Sequence, residues 1–105
     1  MAKNTIMLVC SAGMSTSLLV SKMEKAAAAR DLDADIFAVS ASEADTHLEK
    51  KEIDVIMLGP QVRYMKGQFE KKVAGKGIDV AVIDMKDYGM VNGEKVLDTA
   101  LSLIK

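Results

Sequence analysis

Four short aliphatic or β-branched runs, at residues 5–9, 34–39, 53–58 and 78–83, alternate with segments of helical periodicity. Strands separated by helices cannot pair as hairpins, so alternation of this kind predicts a parallel sheet with right-handed crossovers. The first and third runs are nearly continuously hydrophobic, as expected of strands covered on both faces. Between the runs, Leu19, Met23, Ala26 and Ala27 form one stripe of a helix from about residue 15 to residue 30. Ser40 and Glu43 have the capping-box spacing for a short helix ending near Lys50. Pro60, directly after Gly59, suits the first turn of a third helix with the stripe Val62, Met65, Phe69 and Val73. The Gly-Lys-Gly stretch at 75–77 ends it. Val96, Leu97, Ala100, Leu101 and Ile104 mark a C-terminal helix. The predicted fold is α/β, an open four-stranded parallel sheet with helices on both faces, in the order βαβαβαβα. Ligands of such sheets bind outside the carboxyl ends of the strands, here at residues 10–17, 40–42, 59–61 and 84–88.

A length of 105 residues fits a single domain over residues 1–105, with no room for a second core. Half the residues are apolar and 28% are charged, a globular rather than a disordered composition. Fourteen basic against fifteen acidic residues leave a net charge of −1. That balance makes no electrostatic case for nucleic acid or for a membrane surface. One cysteine forms neither an internal disulfide nor a Cys-rich metal site, so Cys10 stays a thiol and the cytosol is the expected compartment. The apolar stretches fall far short of the roughly 18 residues of a membrane span, which excludes direct membrane insertion. Lys3 followed by the apolar residues 6–9 faintly mimics a signal peptide, but the run stops at a Cys-Ser-Ala-Gly turn. The chain therefore reads as mature and cytoplasmic from Met1. Methionine is abundant, at eight residues, and fills core gaps or forms adaptable docking surfaces.

The chemistry points to the loop after the first strand. Cys10 ends a buried strand and is followed by Ser11, Ala12, Gly13, Met14, Ser15, Thr16 and Ser17, where the first helix begins. Gly13 is free to adopt positive φ, which lets successive backbone N–H groups turn inward as an anion-binding nest. The helix N-terminus adds unpaired donors and the positive end of its dipole. A thiol in such surroundings ionises more readily and becomes a better nucleophile. A phosphoryl group carried on the sulfur would sit in the same nest. The bland alternative is a lone cysteine acting as a small buried hydrophobe.

Other phosphate and thiol motifs do not match. The loop lacks the lysine and second glycine of a nucleotide P-loop, and G-x-G-x-x-G is absent. A redox pair C-x-x-C would need a cysteine where Gly13 stands. An aspartate-phosphorylated receiver would carry acidic residues where Met7, Leu8 and Val9 are found. The cysteine phosphatase loop C-x5-R places an arginine at the position of Thr16. Without that guanidinium, phosphoester hydrolysis loses its main fixed charge in the transition state. The pattern favours a thiol that accepts an already activated phosphoryl group and passes it on.

Residues 6–20, Ile-Met-Leu-Val-Cys-Ser-Ala-Gly-Met-Ser-Thr-Ser-Leu-Leu-Val, form a long and specific motif. With residues 58–65, Leu-Gly-Pro-Gln-Val-x-Tyr-Met, it resembles the IIB component of the lactose/cellobiose (N,N′-diacetylchitobiose) branch of the bacterial sugar phosphotransferase system (PTS). The similarity extends over essentially the whole chain, with no departure at the loop. The resemblance implies a four-stranded parallel sheet like that of the low-molecular-weight cysteine phosphatases. It implies that Cys10 takes a phosphoryl group from a phosphohistidine on a IIA protein and that Ser11 to Ser17 cradle it. The group then passes to a sugar, such as the β-linked disaccharides cellobiose, chitobiose or lactose, bound by the membrane IIC component. No metal, nucleotide or other cofactor belongs to the site.

Other residues carry weaker signals. His47, the only histidine, lies between Asp45 and Glu49 on a polar helix and reads as a solvated surface residue. Asp84, Asp87 and Tyr88 follow the fourth strand, where a phosphatase keeps its general acid, but a polar turn with Asp84 ending the strand explains them equally. Pro60, Gln61, Tyr64 and Tyr88, with Met14, are expected on the rim around Cys10 as a docking surface, with a phosphate contact or simple packing as the other roles of Gln61 and Tyr64. A cysteine-dependent phosphatase or arsenate-reductase-like enzyme is the alternative on a similar fold, opposed by Thr16. A flavodoxin-like binding module ranks last, since aromatics make up only 4% of the chain.

Overall fold

The computed structural model describes residues 4–10, 17–50 and 52–104. Its centre is a four-stranded sheet in the order β2-β1-β3-β4, all neighbours parallel. The strands are β1 (Asn4–Cys10), β2 (Ala34–Ser40), β3 (Val55–Leu58) and β4 (Asp79–Val82). From Ile6 to Cys10 and from Val55 to Leu58, no residue exposes any surface. The edge strands β2 and β4 mix buried with half-buried positions. The continuous hydrophobic runs thus mark the two inner strands, covered on both faces. Strand β3 is shorter than the run at 53–58 because the β1–β3 ladder starts at Ile6 opposite Val55, and β4 pairs only with that shortened strand, from Asp79 to Val82. Just before the β1–β3 ladder, the Asp54 carboxylate accepts the Thr5 N–H at 2.7 Å.

Side-chain alternation along β1 divides the core. Ile6 and Leu8 face α1 (Ser17–Ala29) and the C-terminal helix. Met7 and Val9 face the opposite layer, where Phe69 is fully buried. That layer comprises α2 (Ala44–Lys50) and α3 (Lys66–Lys72), each with a 3₁₀ turn before it, Ala41–Glu43 and Pro60–Met65. Two sequence expectations change here. The stripe Val62, Met65, Phe69 and Val73 is not one helix. Val62 leaves helical geometry (φ −115°, ψ 21°), which buries its branched side chain in the core and delays the α-helix to Lys66. The Ser40–Glu43 pair also caps no backbone: Ser40 Oγ donates to the Glu43 carboxylate at 2.9 Å and lies 3.1 Å from Ser42 Oγ.

The stretch 84–88 is a further correction. It is a short helix rather than a loop, α4 (Met85–Gly89), capped by the Asp84 carboxylate, which accepts from the Lys86 and Asp87 N–H groups. Val91 closes α4 with φ +52°, its N–H bonding the Tyr88 carbonyl while the Asn92 N–H reaches Asp87. Glycine ordinarily fills that left-handed position, which costs other residues about 1–2 kcal/mol. The chain then enters α5 (Gly93–Leu103), with the Asn92 side chain capping the Lys95 N–H. Gly93 allows α5 to touch α1, since a Cβ there would lie 2.6 Å from backbone and side-chain atoms of Lys22. At the far end of this pair Arg30 bonds Asp98, a contact that raises the affinity of the guanidinium for its proton.

Candidate functional site

In the order β2-β1-β3-β4 the connection after β1 runs to one side, to β2, and the connection after β3 runs to the other, to β4. This reversal is the topological switch point at which open α/β sheets form their crevice. Cys10 is the last residue of β1, opposite Ser40 in β2, and is fully buried. On its other side, the chain leaving β3 stays attached to the ladder: the Gly59 N–H donates to the Val9 carbonyl at 2.8 Å. A Cβ on Gly59 would stand 3.7 Å from Cys10 Cβ, 3.4 Å from the Val9 oxygen and 3.0 Å from Gln61 Oε1. The missing side chain at position 59 therefore keeps a small space open beside the cysteine. The carboxamide of Gln61 borders the same space.

Six residues separate Cys10 from Ser17, the first residue of α1. Ser11, Ala12, Gly13, Met14, Ser15 and Thr16, six of the seven positions expected to cradle a phosphoryl group, lie outside the described residues. Ser17 is exposed at the start of the 13-residue helix.

Pro60, Gln61, Tyr64 and Tyr88 line one groove of about 480 Å³ together with Arg63 and Met85. Tyr64 is 75% exposed and Met85 64% exposed, large for apolar or amphipathic side chains. The 3₁₀ turn explains the cluster: it packs Val62 inward and leaves Gln61, Arg63 and Tyr64 exposed. Helix α4 supplies the opposite wall, with Tyr88 also packed against the core. Arg63 and Met85 were not singled out from the sequence. Arg63 is legible in the sequence as the one cation of the 59–65 stretch, whereas Met85 reaches the groove only because residues 85–89 form a helix. Asp87 belongs to α4, and the Asp84 carboxylate is engaged as its cap.

His47 sits half-buried against Phe37, with ring centroids 5.3 Å apart, a packing role on the far layer. A groove of about 440 Å³ elsewhere is lined by charges of both signs, including Glu49, Lys50, Glu52 and Lys76. Among the described residues, no three His, Cys, Asp or Glu side chains are grouped to hold a metal ion. No helix among them is long and apolar enough to cross a membrane.

Residues 5–99 match the family described as "PTS system, Lactose/Cellobiose specific IIB subunit". The chain is 50% identical over 107 aligned residues to the galactose-specific EIIB component of the PTS system of Lactococcus lactis subsp. cremoris (strain MG1363), covering 99% of both proteins. It is 42% identical over 99 residues to the oligo-beta-mannoside-specific EIIB component of Bacillus subtilis (strain 168), covering 94% of each. Among solved structures, the cellobiose-specific IIB component from Borrelia burgdorferi superposes with a TM-score of 0.78 at 39% identity, over 98% of this chain and 93% of that one. The lactose-specific IIB domain from Streptococcus pneumoniae gives 0.84 at 16% identity, over 99% and 100%, which speaks to the fold alone. The sheet is the low-molecular-weight phosphatase-like fold that IIB domains share. Family match, relatives and architecture agree, and the chain belongs to the lactose/cellobiose-specific IIB subunits of the bacterial sugar phosphotransferase system.

Proposed function

We propose that this chain, as a single IIB domain, is a cytoplasmic phosphocarrier whose working atom is the sulfur of Cys10. The supporting observation is the position of that residue: a buried thiol ending an inner strand at the switch point, beside a glycine that leaves space next to it. The donor is the phosphohistidine of a IIA protein. The thiolate supplies an electron pair to phosphorus, the P–N bond breaks, and its electron pair returns to the imidazole, which ends with the proton released by the thiol. In the second step a hydroxyl of a sugar held by membrane IIC attacks phosphorus. The S–P bond then breaks with its electron pair left on sulfur, and the proton lost by the sugar hydroxyl returns to that sulfur, restoring the thiol. The donor supplies the driving force, so the carrier has only to hold the group and keep water from it. Ser11 to Ser17 are the phosphate cradle in this reading. The β-linked disaccharide implied by the resemblance is the sugar of this reading; the relatives are named for galactose, cellobiose and oligo-beta-mannoside.

The groove of Pro60, Gln61, Tyr64 and Tyr88 is then the docking rim that IIA and IIC use in turn, with Met14 completing it. Exposed Met and Tyr are adaptable, amphipathic contacts of the kind enriched at interfaces. The deciding experiment incubates the chain with phosphorylated IIA and reads intact mass. One added phosphoryl group is expected, absent in Cys10→Ser, because an alcohol is a far weaker nucleophile at neutral pH. Phosphorylation of the Ser variant, or labelling of His47, would remove Cys10 from the role. Robust Cys10-dependent turnover of an aryl phosphate would instead favour a phosphatase.

A further inference from the structure

The phosphatases with a C-x5-R loop hold phosphate with an arginine, and this chain has Thr16 in its place. A phosphoryl group on sulfur still carries oxygens that need donors, and a side chain outside the loop is positioned to add one. Gln61 Oε1 and Cys10 Cβ lie 3.0 Å and 3.7 Å from the same point, the site of the side chain that Gly59 lacks. The backbone that aims Gln61 is held firmly on both sides. Gly59 bonds β1 through Val9, the Val62 N–H bonds the Gly59 carbonyl at 3.0 Å, and Val62 itself is buried. Rotation about the last side-chain bond of Gln61 exchanges its oxygen for an NH₂ with two donors.

We propose that the Gln61 carboxamide donates to the phosphoryl group on Cys10, making it a phosphoryl-contacting residue rather than only part of a docking rim. The inference rests on the phosphocysteine reading above. A neutral donor suits a carrier. It orders the group without the added positive charge with which an arginine stabilises the hydrolytic transition state. Gly59 serves the same end by leaving the gap unfilled.

The test is an equilibrium rather than a rate. Phosphorylated IIA is mixed with each variant and the phosphoryl group is partitioned between the two proteins, read by intact mass at the end point. A contact with the donor protein changes forward and reverse transfer alike and cannot move that partition. A contact with the phosphoryl group on Cys10 must move it. Gln61→Ala and Gln61→Asn should each lower the equilibrium constant for transfer to Cys10 about tenfold, the range of one hydrogen bond to a charged group. Gly59→Ala should shift it in the same direction, because its backbone (φ −64°, ψ 152°) accepts a methyl group that crowds the carboxamide at 3.0 Å and occupies the gap. Tyr64→Ala should slow the approach to equilibrium and leave its end point in place. An unchanged constant in both Gln61 variants, with native phosphorylation at Cys10, overturns the contact alone. Failure of the native chain to take a phosphoryl group on Cys10 overturns the carrier reading and this inference together.

Discussion

On one face of the sheet, helices of 13 and 11 residues cross so closely that the Gly93 backbone rests on Lys22 and Met23. Small side chains, Ala26, Ala27 and Ala100, let them do so. On the other face the helices are seven residues each, are entered through 3₁₀ turns, and pack around one large ring, Phe69. The contrast separates two tasks. The first face is a firm backing for Ile6 and Leu8 on the strand that ends in Cys10. The second face gives up helical regularity between Gly59 and Met65, and that irregular turn carries Gln61, Arg63 and Tyr64 to one groove.

The sharpest way to break the comparison is Phe69→Ala. The side chain fills the second layer with no exposed surface, so its loss should cost about 3–5 kcal/mol in urea unfolding. A loss under about 1 kcal/mol would mean that the short helices do not depend on it. On the first face, Gly93→Ala tests overpacking instead of a cavity. A methyl group 2.6 Å from Lys22 forces α1 and α5 apart, at a cost of about 1–3 kcal/mol. Unchanged stability there would show that the helix contact yields easily.

Smaller effects are expected at exposed contacts. Asp84→Ala removes the cap of α4 and should cost about 1 kcal/mol. It should also raise amide exchange at Lys86 and Asp87, and native exchange at both would count against the cap. The smallest change is expected from Asp98→Asn, which breaks an exposed ion pair with Arg30. Its effect on thermal stability should be slight and should fade as salt is raised. An effect insensitive to salt would assign Asp98 a packing role.

Much of this arrangement was legible in advance. The strand–helix alternation, the stripe of Leu19, Met23, Ala26 and Ala27, and the burial of the first and third strands all follow from periodicity. Periodicity is local: a residue's neighbours along the chain decide which face it shows. The start of the third helix is not legible, because a hydrophobic spacing shared by 3₁₀ and α turns cannot report where one gives way to the other. Helix α4 went unseen because five residues are too few to show a period, and its stability comes from the Asp84 cap and the Val91 closure.

By itself the sequence determined the α/β alternation, the two inner strands, and a lone cysteine at the end of the first. Only the tertiary structure decided the order β2-β1-β3-β4, which sets Gly59 beside Cys10. It also decided the meeting of Gln61 and Tyr64 with Met85 and Tyr88 across one groove. The physical reason is that strand order and groove walls depend on burial shared between segments far apart in the chain. No local pattern of residues encodes which of two equally hydrophobic neighbours a strand will take.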